Sequence, residues 1–283
     1  KRQVLLFINR ADTTPQMRSS LFVITIVLLV NCSTVPLTGR KQLDMIPDSQ
    51  LLPMSFASYT AVVSSSTLSR DQDQVAMVKD VGDNIKTAVE AFLEEKGMSD
   101  RLDGFDWEFN LIDNDTLVNA WAMPGGKVAF YTGIMPICQD EAGVAVVMGH
   151  EVAHAIAGHS GERMSQQLVL QLGMSSLSQA IGSNPTLTEN IFLQSVGYGG
   201  QLGMLKYSRT HESEADKLGL MFMAIAGYDP AAAPDFWKRM DAMSGGAAPP
   251  EWISTHPNNQ TRIDDLNADL PEANKYYEAS QQN

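Results

Sequence analysis

The order of apolar and polar residues predicts a chain that is mostly helical. Apolar side chains recur at helical spacing between Leu68 and Lys96, and Gly97 follows as a natural stop. After Gly133 the pattern becomes helical again and largely stays so. In that part of the chain, helices are predicted at about residues 134–138, 140–159, 162–182, 187–203, 207–226, 230–243 and 258–266.

A small β-sheet is predicted ahead of the long helix at 140–159. Residues 105–112 alternate apolar and polar side chains, which is typical of a half-buried strand. Two short β-like segments follow at 117–123 and 127–131, and Pro124-Gly125-Gly126 between them favours a turn. The chain shows no internal repeat. The predicted fold class is therefore α+β, predominantly helical, with a small sheet near the long helix.

The N-terminal residues are typical of a targeting signal. The chain begins with Lys1, so residues 1–16 are interpreted as upstream or mis-called sequence, and residues 17–31 as a signal peptide with a ten-residue apolar segment. That segment is half the length of about 20 residues that a membrane-spanning helix needs. Cys32 follows it directly and resembles a lipidation site, although Asn31 stands where Gly, Ala or Ser is usual. An ordinary signal peptide or a plain cysteine is the alternative.

The rest of the chain divides into three parts. Residues 32–64 mix Pro, Ser, Thr and Gly without sustained periodicity and are predicted to be a tether and entry segment. A folded domain is predicted at 65–275 and a tail at 276–283. Lipidation of Cys32 would leave Cys138 unpaired, so no disulfide is expected. Without an Asp after the cysteine, we expect an outer-membrane lipoprotein facing the periplasm, or a secreted soluble form if Cys32 is not lipidated.

Composition excludes some classes of function. The net charge is −13, from 33 acidic and 20 basic residues, and no long basic segment follows Lys41. Nucleic acid is therefore not an expected partner, because binding a phosphate backbone needs clustered Lys and Arg. The apolar fraction of 44% and the mean hydropathy of −0.13 are ordinary for a globular protein and argue against a polytopic membrane protein.

The segment 149–154 contains the motif H-E-x-x-H. On a helix, His150 and His154 project from one face and can bind one ion. Glu151 lies beside His150, where its carboxylate can take a proton from water activated by Zn²⁺. The spacing therefore predicts a zinc-dependent hydrolytic centre with Glu151 as the general base.

The composition of this helix argues against a chance match. Paired His and Glu side chains can simply lie on a solvated helix face, but here nearly every side is apolar. Buried polar groups without partners cost several kcal/mol, and a metal ion would supply those partners. The apolar residues are Val144, Val146, Val147, Met148, Val152, Ala153, Ala155 and Ile156.

A second motif offers the third protein ligand that a catalytic zinc site requires. On the predicted helix at 207–226, spacing allows Glu212 or Glu214, but these lie about 200° apart and cannot both face the ion. H-E-x-x-H followed by E-x-x-A-D at 212–216 resembles metallopeptidase family forty-eight, the group with CAAX prenyl proteases, HtpX-type heat-shock proteases and small envelope lipoprotein peptidases. The similarity extends over about 74–270.

The resemblance implies roles for individual residues. It implies a zincin-like (gluzincin) fold with one Zn²⁺ per chain, Glu212 as the third ligand and Asp216 as a carboxylate that orients a ligand histidine. The segment 119–126 matches N-A-x-A-x-P-G-G, which implies an edge strand lining the cleft, with Asn119 and Ala120 beside a substrate that binds through its main chain.

The remaining histidines leave alternative roles open. The S-T-H-P element at 254–257, followed by Arg262-Ile263, completes the resemblance. It suggests that His256 approaches the zinc, either as a transition-state donor or as a fourth ligand that keeps the enzyme latent; an ordinary loop histidine is the alternative. His159 is expected to interact with the C-terminus of its helix. For His211 we expect a structural or surface role.

The sequence therefore predicts a zinc metalloendopeptidase that cleaves misfolded or misassembled proteins in the bacterial cell envelope and is held to the membrane by an N-terminal lipid. A second hypothesis is a zinc-bearing chaperone-like or binding lipoprotein, proteolytically latent because His256 closes the open zinc position. A metallohydrolase that does not cut peptides is a third hypothesis, and the predicted peptide-binding edge near Asn119 argues against it.

Overall fold

A computed structural model describes residues 32–36, 38–172, 185–196, 208–243, 252, 256 and 260–282. Helices dominate this part of the chain, and none of them has the length and apolar character needed to cross a membrane. The helices are α1 (Asp48–Ser65), α2 (Gln72–Glu95), α3 (Met135–Cys138), α4 (Glu141–Ile156), α5 (His159–Leu172), α6 (Pro185–Ser195), α7 (Arg209–Ile225), α8 (Ala232–Met243) and α9 (Gln260–Ser280).

The strands form two small sheets. In the first, β1 (Cys32–Thr34) and β2 (Lys41–Leu43) make an antiparallel hairpin. The second contains β3 (Glu108–Ile112), β4 (Ala120–Met123) and β5 (Lys127–Tyr131) in the order β3-β5-β4. Here β3 runs parallel to β5 and β4 antiparallel to it. Among the described residues, β4 is therefore an edge strand.

The three-stranded sheet separates two apolar cores. Because side chains alternate along a strand, Val128 and Phe130 of β5 face one core, whereas Ala129 and Tyr131 face the other. The larger core also contains buried side chains of α2, α4, α7 and α8. The smaller core receives side chains from α1, α5 and α6. The motif helix α4 lies in the larger core, and all its residues from Gly143 to His154 are buried.

Helix α4 crosses α7 at very close range. A Cβ atom on Gly149 would lie 2.7 Å from the carbonyl oxygen of Gly219, and one on Gly219 would lie 2.8 Å from the backbone of Gly149. Both residues must therefore lack a side chain for the helices to approach this closely. The crossing brings the two motif-bearing helices together beside His150.

The predicted α+β class, mostly helical with a small sheet, is confirmed. The predicted tether at 32–64 differs from the structure, because α1 occupies much of it and packs in the smaller core. Its buried face includes Ser55 and Ser58, and Pro53 lies inside the helix, so the apolar periodicity is obscured. The predicted tail at 276–283 begins inside α9, which continues to Ser280.

Candidate zinc site

Four buried side chains converge beside the crossing of α4 and α7. His150 and His154 come from α4, Glu212 comes from the first turn of α7, and His256 joins them from further along the chain. One ligand atom from each lies within 4.8 Å of every other. The Nε2 atoms of the two α4 histidines are 3.1 Å apart, and each lies 3.7 Å from an oxygen of Glu212.

This donor set fits Zn²⁺. Nitrogen and oxygen ligands lie about 2.0–2.2 Å from zinc, and tetrahedral geometry then separates ligand atoms by roughly 3.4 Å. Burial lowers the pKa of His150 to about 4 and that of His154 well below its usual value, which favours the neutral imidazoles that bind metal. Within the described part of the chain, the buried Oε1 of Glu212 has no hydrogen-bond partner. A bound cation would coordinate this oxygen and so compensate for the missing hydrogen bond.

Glu151 lies beside this cluster and faces the edge strand. Its Oε1 accepts a hydrogen bond of 2.7 Å from the indole N–H of Trp252 and lies 3.7 Å from Nε2 of His256. Burial raises the pKa of Glu151 to about 8, against the opposing hydrogen bonds from Trp252 and the backbone N–H of Ala122. The carboxylate is therefore held in place on two sides, between the donor cluster and β4.

The free edge of β4 borders the same space. In an antiparallel pair, the backbone N–H and C=O groups of alternate residues point away from the partner strand. Tyr131 donates its N–H to the carbonyl of Asn119, so the amides of Ala120 and Ala122 point outward. The first is bound by the Asn119 side chain at 3.0 Å, and the second donates to Glu151. The predicted edge residues therefore lie next to the predicted base.

Asp216 and Arg262 hold the outer side of His150. The Oδ1 atom of Asp216 is 3.0 Å from Nδ1 of His150. Arg262 donates to Glu212 at 2.9 Å and to Asp216 at 2.5 Å, and it lies 3.5 Å from the ring centre of Trp237. Burial disfavours ionised Asp216, but Arg262 and His150 outweigh it and keep the pKa of Asp216 below its usual value. The position fits the orienting role that the resemblance implies for Asp216.

A different group of residues holds the outer side of His154. Its Nδ1 lies 2.8 Å from Nδ1 of His159, and Nε2 of His159 lies 3.2 Å from Glu214. Arg40 forms ion pairs with Glu214 and Glu162, each at 2.8 Å. Glu214, the rival ligand by spacing, therefore faces away from the donor cluster and towards His159.

One prediction about the histidines is wrong. Helix α4 ends at Ile156 rather than near His159, because Gly158 adopts a φ of 72° and starts a new helix. His159 therefore turns back onto His154 instead of lying at the C-terminus of α4. Of the structural and surface roles expected for His211, the structure favours the structural one, because the residue is buried and its Nε2 lies 3.0 Å from Glu162.

Several site residues were missed by sequence reasoning. Trp252 gave no signal, since its indole reaches Glu151 across 101 positions. Arg262 was noted only as part of a motif, and Arg40 only as one residue of a tether. Gly158 as a helix stop could have indicated that His159 begins a separate helix. Of the predicted lipidation site, the structure describes Cys32 only as the first residue of β1.

The fold and the donor cluster define a zinc metallopeptidase domain: a buried H-E-x-x-H helix, a carboxylate from a second helix, and an edge strand beside them. The family described as Peptidase family M48 matches residues 81–269. The chain belongs to this family, as its resemblance to metallopeptidase family forty-eight predicted.

Similar curated proteins include mitochondrial metalloendopeptidases and a bacterial protease. Mitochondrial metalloendopeptidase OMA1 of Saccharomyces cerevisiae is 36% identical over 187 residues, which cover 63% of this chain and 51% of that protein. The human metalloendopeptidase OMA1 is 30% identical over 252 residues, 86% of this chain and 47% of that protein. The β-barrel assembly-enhancing protease of Yersinia pestis is 29% identical over 173 residues, 56% of this chain and 33% of that protein. The chain thus spans about half the length of the OMA1 proteins it matches.

Proposed function

We propose that this chain is a zinc metalloendopeptidase in which His150, His154 and Glu212 bind the ion and Glu151 is the general base. The observation that carries the proposal is the position of Glu151, between the donor cluster and the outward-facing amides of β4. A substrate aligned along β4 would present its carbonyl to both the base and the ion. The family membership and the relatives' names as metalloendopeptidases support the same reaction.

The residues of the chain have distinct tasks in this reaction. When bound, zinc polarises the scissile carbonyl and lowers the pKa of the attacking water. Glu151 accepts a proton from that water and passes it to the leaving amine. The indole of Trp252 fixes one oxygen of Glu151 at 2.7 Å, which keeps the carboxylate aimed at the cleft. The surrounding apolar residues of α4 exclude bulk water.

Substrate recognition is proposed to use the main chain. A peptide that adds as a strand to β4 would accept hydrogen bonds from the outward amides of Ala120 and Ala122. In the structure these amides are bound by Asn119 and Glu151, so binding would exchange local hydrogen bonds for bonds to the substrate. Such binding depends little on side chains and suits extended, unfolded segments of many sequences.

We further propose that the substrates are misfolded or misassembled proteins of the bacterial cell envelope. The name of the Yersinia pestis relative, a β-barrel assembly-enhancing protease, supports this setting. Lipidation at Cys32 would place the chain at the membrane, most simply as a periplasm-facing lipoprotein. Mass spectrometry of the mature N-terminus tests this point: a diacyl or triacyl mass on Cys32 supports it, and an unmodified cysteine contradicts it.

The proposed reaction is tested by Glu151→Gln. The variant should retain one zinc ion per chain but lose hydrolysis of casein by at least about 10²-fold, because it lacks the base. The matched control is Glu90→Gln, since Glu90 is exposed on α2 and distant in sequence from the motifs. Hydrolysis by Glu151→Gln at the parental rate would contradict the assignment.

A second candidate function follows from His256, whose ring lies close enough to join the donor cluster. If it binds zinc as a fourth ligand, the chain is proteolytically latent and acts as a chaperone-like or binding protein. His256→Ala separates the possibilities. A latent enzyme should gain casein hydrolysis, a transition-state donor should lose it, and a binding protein should be inactive before and after the change.

A further inference from the structure

The two histidines of the motif are held by different partners. His150 meets a carboxylate directly, at 3.0 Å from Asp216. His154 instead meets the imidazole of His159, and only the far nitrogen of that ring, 3.2 Å from Glu214, reaches a carboxylate. A histidine that binds zinc through Nε2 carries a proton on Nδ1 and must donate it. Each histidine can therefore donate its Nδ1 proton, His150 directly to a carboxylate and His154 to a second imidazole that in turn reaches a carboxylate.

When Nε2 of His154 faces the ion, only one placement of the ring protons allows both hydrogen bonds in the series His154–His159–Glu214. His154 then donates from Nδ1 to Nδ1 of His159, and His159 donates from Nε2 to Glu214. Each ring nitrogen has one task in this arrangement. His159 is fully buried and stacks on His211 with 4.5 Å between ring centres, so its plane is fixed. The ring is therefore held where it can accept from His154.

Glu214, at the far end of this series of hydrogen bonds, is held by the loop of the N-terminal hairpin β1–β2. Glu214 accepts hydrogen bonds from the Arg40 guanidinium at 2.8 Å and from the Thr38 hydroxyl at 2.6 Å. The same guanidinium binds both oxygens of Glu162, at 3.0 and 2.8 Å. Gln42, which lies on β2 two residues after Arg40, donates to the carbonyl of Ala157 at the end of α4. The hairpin thus fixes both the helix end and the carboxylate.

We propose that His159, Glu214 and Arg40 are positioning residues for the zinc ligand His154, and that through them the N-terminal hairpin sets the affinity of the metal site. The inference rests on the proposed zinc ligands and deepens that site. The contacts that carry it are long-range in sequence: Arg40 binds Glu162 across 122 positions and Glu214 across 174. The residues nearest the predicted lipid anchor are then part of the metal centre's support.

The test measures zinc affinity of the full chain by competition with a chromophoric chelator. His159→Phe keeps the ring, the burial and the stacking but accepts no hydrogen bond, and should weaken zinc binding by about 10- to 100-fold. His159→Gln, whose amide can both accept and donate, should recover part of that loss. The visible spectrum of the cobalt-substituted protein should change in His159→Phe, because the geometry of His154 changes.

Arg40→Met tests the hairpin, and Lys127→Met is its matched control. Lys127 also pairs with two carboxylates, Asp106 and Glu108, but these are not among the residues that connect Arg40 to His154. Arg40→Met should weaken zinc binding by several-fold, whereas Lys127→Met should leave it within about twofold of the parent. Arg40→Met and Lys127→Met together also test the proposal if His159→Phe does not fold.

The proposal is overturned if folded His159→Phe keeps parental zinc affinity and cobalt spectrum, or if Lys127→Met weakens zinc binding as much as Arg40→Met. Failure of the proposed zinc site gives a different result. In that case His154→Ala itself would keep zinc affinity, whatever happens at His159.

Discussion

Two arginines, Arg262 and Arg40, each bind two carboxylates from other elements, but they differ in their distance from the zinc ligands. Arg262 contacts Glu212 directly, and its side chain is only 4% exposed. Arg40 is 24% exposed and reaches His154 only through Glu214 and His159. An arginine bridging two carboxylates therefore supports the site at two distances, and loss of the closer, more buried arginine should have the larger effect.

Loss of Arg262 should give the largest change. Arg262→Met leaves Glu212 and Asp216 as buried carboxylates without their cation, which should destabilise the metal-free protein by about 3–5 kcal/mol. Added zinc should restore part of this, because the ion supplies positive charge at the same place. Urea unfolding with and without a chelator measures both. Arg239→Met, which removes hydrogen bonds to backbone carbonyls and a cation–π contact with Phe236, is the control. Equal losses in the two variants would contradict the comparison.

A smaller effect is expected at the carboxylate that holds His150. Asp216→Asn keeps the shape but removes the charge that orients the imidazole, so zinc affinity should fall by about 10- to 100-fold. Chelator competition measures the change, with the exposed Asp265→Asn as the control. If both variants bind zinc like the parent, Asp216 has no orienting role.

Loss of Arg40 should destabilise the chain less than loss of Arg262. Arg40→Met leaves Glu162 and Glu214 without their shared cation, but water reaches this site, so the expected cost is about 1–3 kcal/mol. The measurement is again urea unfolding of the metal-free protein. If Arg40→Met lost as much unfolding free energy as Arg262→Met, the cost would not depend on the arginine's exposure or on its distance from the zinc ligands.

The smallest effect concerns acid stability. Burial alone would raise the pKa of Glu162, but hydrogen bonds from His211 and Arg40 outweigh it and lower that pKa to about 2, from 4.5. The stabilisation from Glu162 is therefore complete above pH 4.5 and is lost as the pH falls towards 2. Glu162→Gln should be less stable than the parent at neutral pH, and the difference should shrink over that window. A constant difference in unfolding free energy would contradict this account.

The contrast between the two arginines also explains what could be predicted from the sequence. His150, Glu151 and His154 lie on one helix and Glu212 and Asp216 on another, so their roles follow from local spacing and from resemblance to a known family. The sheet and the long helices were likewise found from periodicity. These features depend on residues close together in the chain.

The support around the site depends on contacts between distant residues. The pairing of Arg40 with Glu214 spans 174 positions, and nothing in the local sequence of either residue indicates it. Helix α1 was missed because serines occupy part of its buried face, where Ser55 donates to a backbone carbonyl instead of packing as an apolar residue. The role of His159 was missed because the turn at Gly158 reverses its direction.

In the proposed enzyme, one zinc ion is held by His150, His154 and Glu212 beside the base Glu151. Diffraction data collected on either side of the zinc absorption edge, from crystals of the zinc-loaded protein, test it most directly. We expect one anomalous peak per chain, within bonding distance of both imidazole Nε2 atoms and a Glu212 oxygen, and adjacent to Glu151. A peak elsewhere in the chain, or none in a fully loaded crystal, would contradict it.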